Sequence, residues 1–372
     1  MKTLHDSSIS VSRSAWDGTA HRRPVLGRSP RWPRLSALGA AIWSAAYGCL
    51  GVWWISNPAG FPFGVAPASG PASSLLASVQ PEMGAPFVAV LGFAGATVGV
   101  LMSRMRSYGP LRAPLLAFAA AMTATLLVLV PDARALAAAA YAPIFLVGAP
   151  FGWPPVSYWE AVPWPIWYQF GGIAGGFLWG ATAVAYFRVT RGACAACGRR
   201  GDSLRWTSPA AAVRWGTWGA AFAVIAPLAY ATTRLAWVVG VPLGISESLL
   251  RQVRSEMLGA AAGLASVAIG GAILTVGLVR PWGEVFPRWM PIVRGRRVPP
   301  ALAIVPASFV AVLVFAAGLG ITRDVLRDGL IAVDWLANAP GLLWPLWGLG
   351  LGAATLAYYY RRRGRCSRCG RL

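Results

Sequence analysis

Eight apolar runs, each near the length that crosses a bilayer, divide this chain: Ser36 to Ile55, Ala85 to Met102, Ala113 to Val130, Ile166 to Phe187, Thr217 to Val239, Met257 to Val279, Ala301 to Ile321 and Leu342 to Tyr360. A helix needs roughly 20 apolar residues to cross about 30 Å of hydrocarbon, so each run predicts a transmembrane helix. A further apolar stretch, Ala135 to Gly148, has 14 residues and is too short to span. It predicts an interfacial or re-entrant helix.

Two of the runs end on the same motif. Arg191-Gly-Ala-Cys194-Ala-Ala-Cys197-Gly-Arg199 follows the fourth, and Arg363-Gly-Arg-Cys366-Ser-Arg-Cys369-Gly-Arg371 follows the eighth. Aligned at an offset of 172, the match runs back into the membrane: Gly180, Ala181, Ala185 and Tyr186 fall on Gly352, Ala353, Ala357 and Tyr358. Trp164-Pro-Ile-Trp167 and Trp344-Pro-Leu-Trp347 open the same two helices. The first helices of the halves correspond through Ala46-Tyr47 and Trp54 against Ala229-Tyr230 and Trp237. Repetition on this scale describes a fold. It predicts an all-α integral membrane protein of eight transmembrane helices as two parallel four-helix repeats, residues 35–200 and 201–372, behind a disordered basic tail at 1–34. An even number of spans per unit gives both copies one orientation, with the pseudo-axis along the membrane normal. Small residues four apart, at Gly95 and Gly99, Gly172 and Gly176, Gly259 and Gly263, and Gly348 and Gly352, are the expected helix contacts.

Composition agrees, with 56% hydrophobic and 12% charged residues over 372 positions, outside the range of a soluble domain. A net charge of +21 points at first toward nucleic acid, and its distribution removes that reading. Of 33 basic residues, 27 lie in the first tail, after the second, fourth and sixth spans, and in the last tail, beside four acids. The rest of the chain holds six arginines against eight acids. Such alternation is the positive-inside pattern for a protein with both termini in the cytoplasm, in a bacterial cytoplasmic membrane; the first span then serves as an uncleaved signal anchor. The lipid bilayer is the expected partner, with anionic lipid adding to the attraction, and nucleic acid is not one.

Cys194, Cys197, Cys366 and Cys369 thus share the cytoplasmic side. Two Cys-x-x-Cys-Gly turns that converge make a tetrahedral thiolate zinc site, because a two-residue gap lets both sulfurs face one ion. The pairs are 168 residues apart, far beyond a zinc ribbon's spacing, so only the repeat can bring them together. Metal shared between subunits and redox-active thiols of lowered pKa are the alternatives; persistent disulfides are unexpected in a reducing compartment. Cys49, inside the first span, reads as an inert buried thiol.

His5 and His21 both fall in the tail, which removes paired-histidine haem ligation and Ser-His-Asp chemistry within the membrane. No phosphate loop, EF-hand or dinucleotide fingerprint is present. Ionisable residues at membrane depth default to a functional role. Arg234 is the clearest, with Glu247 or Glu256 as expected ion-pair partners, snorkelling to the interface or an anionic ligand as the other readings. Buried carboxylates are missing from the middle of every span, which argues against a proton-driven pump. From Pro150 to Gln169, Trp153, Tyr158, Trp159, Trp164, Trp167 and Tyr168 surround Glu160; they read as interfacial anchors or as a cap over an apolar cavity.

Between the sixth and seventh spans, Arg280-Pro-Trp-Gly-Glu-Val-Phe-Pro-Arg-Trp-Met-Pro291 and Arg294-Gly-Arg-Arg-Val-Pro-Pro300 form a stiff basic loop. It reads as a headgroup-facing surface or a docking site for a membrane or cytoplasmic protein partner. With Tyr230 to Ile245, this stretch resembles polytopic proteins of unknown function from high-GC Gram-positive bacteria, and the resemblance implies no activity.

Three functions are open. The first is a transporter-like or small-molecule or lipid-handling membrane protein with a site between the halves; transport predicts a polar-lined cavity there, open to one side. The second is a non-catalytic scaffold or regulatory subunit acting through the basic face. An intramembrane enzyme comes third, since no catalytic constellation is visible.

Overall fold

The computed structural model describes residues 31–63, 74–104, 109–200, 205–329 and 334–371. Among these it is all-helical, with an isolated antiparallel bridge between Val285 and Arg297 in place of any strand. In chain order the helices are α1 Trp32–Ser56, α2 Pro81–Arg104, α3 Arg112–Ala124, α4 Ala133–Gly148, α5 Tyr158–Ala161, α6 Trp164–Thr190, α7 Pro209–Val238, α8 Glu247–Glu256, α9 Leu258–Gly277, α10 Pro300–Asp328, α11 Trp335–Asn338 and α12 Trp344–Arg362. A π-helical turn, Thr125–Leu129, extends α3. Most of the basic tail, with His5 and His21, lies outside the described residues; Trp32 to Arg34 already belong to α1.

Proline opens α1, α6, α7, α10 and α12, in a turn where its missing N–H has no helical partner to lose. Asp132, Ser208 and Ser246 cap α4, α7 and α8 by accepting from first-turn amides.

Eight helices among the described residues are long and apolar enough to cross a membrane. Seven coincide with predicted spans. The eighth is Ala133–Phe151, while the predicted last span, now Trp344–Arg362, does not reach the required apolarity. The first gains from a helix start at Ala133 and a closing 3-10 turn that carries it to 19 residues. The second is diluted by Tyr358, Tyr359, Tyr360, Arg361 and Arg362 in its last turns. Yet α4 does not pass straight on: the chain folds back along it, so that Tyr158 Oη donates to the Ala138 carbonyl at 2.8 Å and Val162 packs with Ala135 and Ala138. Helix α12 packs into its bundle through Leu351, Ala354 and Tyr358.

The two halves pair their helices alike. Helix α1 lies against α2 and α6, and α6 against α3; α7 lies against α9 and α12, and α12 against α10. Trp54 and Trp237 are both buried, as are Tyr186 and Tyr358. Outward faces stay apolar, with Phe87 and Val90 on α2, Trp218 and Phe222 on α7, and Ile273 and Leu274 on α9 exposed. Helices apolar on every side suit a lipid surround.

The halves meet along an apolar seam. Leu313 of α10 is fully buried against Ala135, Ala138, Ile166 and Ile173, and the Phe170 and Phe309 rings lie 6.0 Å apart. Further along, Gly263 and Gly259 of α9 receive Ile144 and the Trp153 ring. At the end away from the cysteines, Arg323 donates to the Ser74 carbonyl at 2.6 Å. Of the predicted glycine contacts, Gly352 alone meets no neighbouring atom within 4 Å.

Candidate metal centre

Both Cys-x-x-Cys-Gly segments begin just past a helix end, α6 for one and α12 for the other, and both close the same turn. Gly198 donates to the Cys194 carbonyl at 2.7 Å and Cys194 to that of Arg199 at 3.0 Å; Gly370 and Cys366 repeat this at 2.9 Å each, with Cys366 bonded to Arg371. Gly198 and Gly370 have φ of +74° and +69°, a left-handed conformation in which a side chain would be strained.

These turns face each other. Cys194 Sγ lies 4.0 Å from Cys366 Sγ and Cys197 Sγ 3.6 Å from Cys369 Sγ, and all four sulfurs fall within 4.8 Å of one another. Zinc–thiolate bonds of about 2.3 Å in a tetrahedron set sulfur–sulfur edges near ~3.8 Å. The donor set and spacing therefore fit a four-coordinate thiophilic ion. The structure brings all four predicted ligands together, 172 positions apart in each cross-pair.

Arginines knit the turns. Arg199 donates through Nη1 to the carbonyls of Gly364 at 3.0 Å and Arg371 at 2.8 Å, and through Nη2 to Arg363 at 3.1 Å. Arg371 returns one bond to the Arg199 carbonyl at 3.3 Å, and Arg363 donates to that of Cys197 at 3.2 Å. From below, Arg188 donates to the Ala196 carbonyl and Trp32 Nε1 to that of Ala195.

Acidity differs among three of the four. The Cys369 amide, donating to Cys366, draws that thiol down to about 6 against the opposing effect of burial. Burial also opposes ionisation of Cys194, but the amides of Cys197 and Ala196 bring it below the usual thiol value. Burial pushes Cys197 up to about 12, so without a metal the cluster retains a proton there. A divalent cation displaces it.

The remaining predicted residues do not form a second site. Arg234 is clasped between the rings of Tyr230 and Trp237, at 4.4 and 4.1 Å from their centroids, and donates to Thr233 Oγ and the Ala337 carbonyl. Its expected ion pairs are not made: Glu247 lies 3.8 Å from Arg251, and Glu256 accepts from Gln252. The reason is the face α8 presents, since Leu250 and Val253 turn inward and the charged residues outward. Cation–π contact takes the place of a carboxylate. Glu160 is exposed and caps α5 reciprocally with Ser157, whose amide lowers its pKa. Cys49 is exposed on the outer face of α1, not buried.

Sequence reasoning missed one polar group. Asp132, between α3 and α4, has no exposed surface. It pairs with Arg134 at 2.6 Å, accepts from Gln169 Nε2 at 2.9 Å, and its own amide donates to Gln169 Oε1 at 3.1 Å. The signal was an acid at the break between two apolar runs, followed two residues later by Arg134.

Around α4, an open cleft of about 580 Å³ is lined by Ala142, Phe145, Leu146, Ala149 and the segment from Gly152 to Tyr158. Its Trp153 wall rests on Gly259 of the other half, beside the seam. Trp159 and Trp167 stack nearby at 4.7 Å. Comparison with protein-family models, with curated proteins and with solved structures finds no significant match.

Proposed function

We propose that this chain is a bacterial inner-membrane protein built from two parallel copies of a four-helix unit, clasped on the cytoplasmic side by one structural zinc ion, and that it handles a lipid or small apolar molecule. The observation that carries the clasp is four sulfurs, two from each half, within 4.8 Å. Like pairing of the helices in each half and equal burial at matched positions support the repeat. Positive charge concentrated at alternate loops supports the orientation. No histidine or acid stands among the candidate ligands, which favours a structural over a catalytic ion, since catalytic zinc keeps a position open.

Elemental analysis of purified protein tests the clasp: one zinc per chain that resists mild chelation, abolished by Cys366→Ser. Ligation requires thiolates, so each proton competes with the ion; affinity for zinc therefore weakens as pH falls, and more steeply below about 6, where a protonated Cys366 joins Cys197 as a competitor. Metal-free protein with four freely titrating thiols ends the proposal.

Handling of an apolar ligand rests on the cleft at α4, apolar and beside the seam. Binding of a fluorescent fatty acid should weaken at least tenfold in Ala149→Trp, with zinc content unchanged; equal binding sinks it. The apolar packing of Leu313 and Phe309 favours a second reading, a scaffold, over polar transport between the halves. A scaffold predicts copurifying partners lost when Arg280 to Arg297 is neutralised.

A further inference from the structure

The segment between α9 and α10 is a built hairpin. Phe286 donates to the Arg296 carbonyl at 3.0 Å, Gly295 to that of Phe286 at 3.1 Å and Val298 to that of Glu284 at 2.9 Å. Its base is fixed to α12: Arg361 and Arg362 pair with Glu284 at 2.9 and 3.7 Å, Arg362 donates to the Val298 carbonyl at 2.6 Å and Tyr358 to that of Gly283 at 3.0 Å.

Beyond this base the hairpin presents side chains that the protein does not cover. Trp289 and Ile292 at the tip are 79% and 85% exposed, and Arg288, Arg294, Arg296 and Arg297 are exposed around them. The one acid between residues 280 and 299 is Glu284, and α12 consumes it. A water-facing loop gains nothing from an uncovered tryptophan and isoleucine, whereas a membrane interface accepts aromatic and aliphatic tips and holds arginine at headgroup depth.

Resting on the membrane reading above, we infer that this hairpin is a docking surface for the anionic headgroups of the protein's own bilayer, with Trp289 and Ile292 entering the interface and the four arginines meeting lipid phosphates. Position supports this occupant. The hairpin springs from the ends of two membrane-length helices, so its base stands where such helices would meet the membrane surface. An arginine near an anionic surface contributes on the order of fivefold in affinity.

Hydrogen exchange of the full chain in nanodiscs of phosphatidylglycerol and of phosphatidylcholine tests it. Amides of 286–297 should exchange at least fivefold more slowly in the anionic discs. The difference should vanish in R288Q/R294Q/R296Q/R297Q and shrink at high salt, while W289S/I292S should lose protection without loss of zinc. Equal exchange in both lipids overturns anionic recognition. Rapid exchange in both, with protection restored by a bound protein, assigns the surface to a protein partner and overturns it too. Failure of the chain to enter either disc is a failure of the membrane reading itself, distinct from both.

Discussion

The two halves use one scheme of helix pairing and close it at different places. In the first, α1 and α2 approach backbone to backbone: a Cβ at Gly92 would stand 2.5 Å from Gly48 Cα, and one at Gly51 would strike the Ala89 backbone. Between α1 and α6, by contrast, Trp43 and Tyr47 intervene, donating to the carbonyls of Gly171 and Tyr168 at 2.8 Å each. In the second half α12 approaches both neighbours closely: a Cβ at Gly350 would come 2.7 Å from the Gly219 carbonyl oxygen of α7, and one at Gly348 would come 2.8 Å from the Ala311 carbonyl oxygen of α10. The same topology therefore tolerates different contacts, and the sites of close approach follow the glycines. Where lipid removes the hydrophobic drive between helices, close packing is what remains to hold them.

The halves differ again after their third helix. The first breaks at Pro131-Asp132 and inserts α4; the second runs on as α10, 29 residues in one piece. Asp132 and Gln169 bridge the break. On the Trp-Pro-x-Trp alignment Gln169 corresponds to Leu349, which is exposed. The second half has no break to bridge.

This asymmetry can be tested. Asp132→Ala strips a buried pair of one partner and strands Arg134 and Gln169, so it should destabilise by about 3–5 kcal/mol; Gln169→Leu, which copies the second half, should cost less. Thermal unfolding in detergent measures both, and equal, small shifts would show that the bridge is dispensable. Gly92→Ala and Gly350→Ala should each cost about 1–3 kcal/mol by overpacking, while Gly270→Ala, with nothing within 4 Å, should be silent. If Gly270→Ala is as harmful as the others, glycine placement does not explain the close pairs. The smallest effect separates the two cysteine turns. Arg199 makes three cross-turn bonds and Arg371 one, so Arg199→Gln should speed zinc loss to a chelator more than Arg371→Gln, at about 1 kcal/mol per lost bond.

Much of the fold was legible because it follows the pattern that a bilayer enforces. Helices must satisfy their own backbone and must be long and apolar, so seven spans stood out as runs and α4 as an exception. The last helix was read from the apolar run Leu342 to Tyr360 and from its likeness to α6, although the helix that forms is less apolar than the other predicted spans. The four cysteines were legible through the same repeat. Arg234 was picked out as an ionisable group at depth, but its partners were assigned to acids nearby in sequence, and rings on its own helix took that role. Asp132 escaped because it sits between runs, where a carboxylate usually reaches water.

By itself the sequence determined the helical class, the alternation of charge and the pairing of two distant Cys-x-x-Cys turns, since each follows from local composition or from internal likeness. Tertiary structure alone decided how near the sulfurs come, which helices touch at glycine, that α4 folds back, and that the seam is closed by Leu313 and Phe309. Those depend on which faces meet, and these helices carry apolar residues on their outward faces as well as their buried ones. Periodicity then has no preferred face to report, and only packing can choose one.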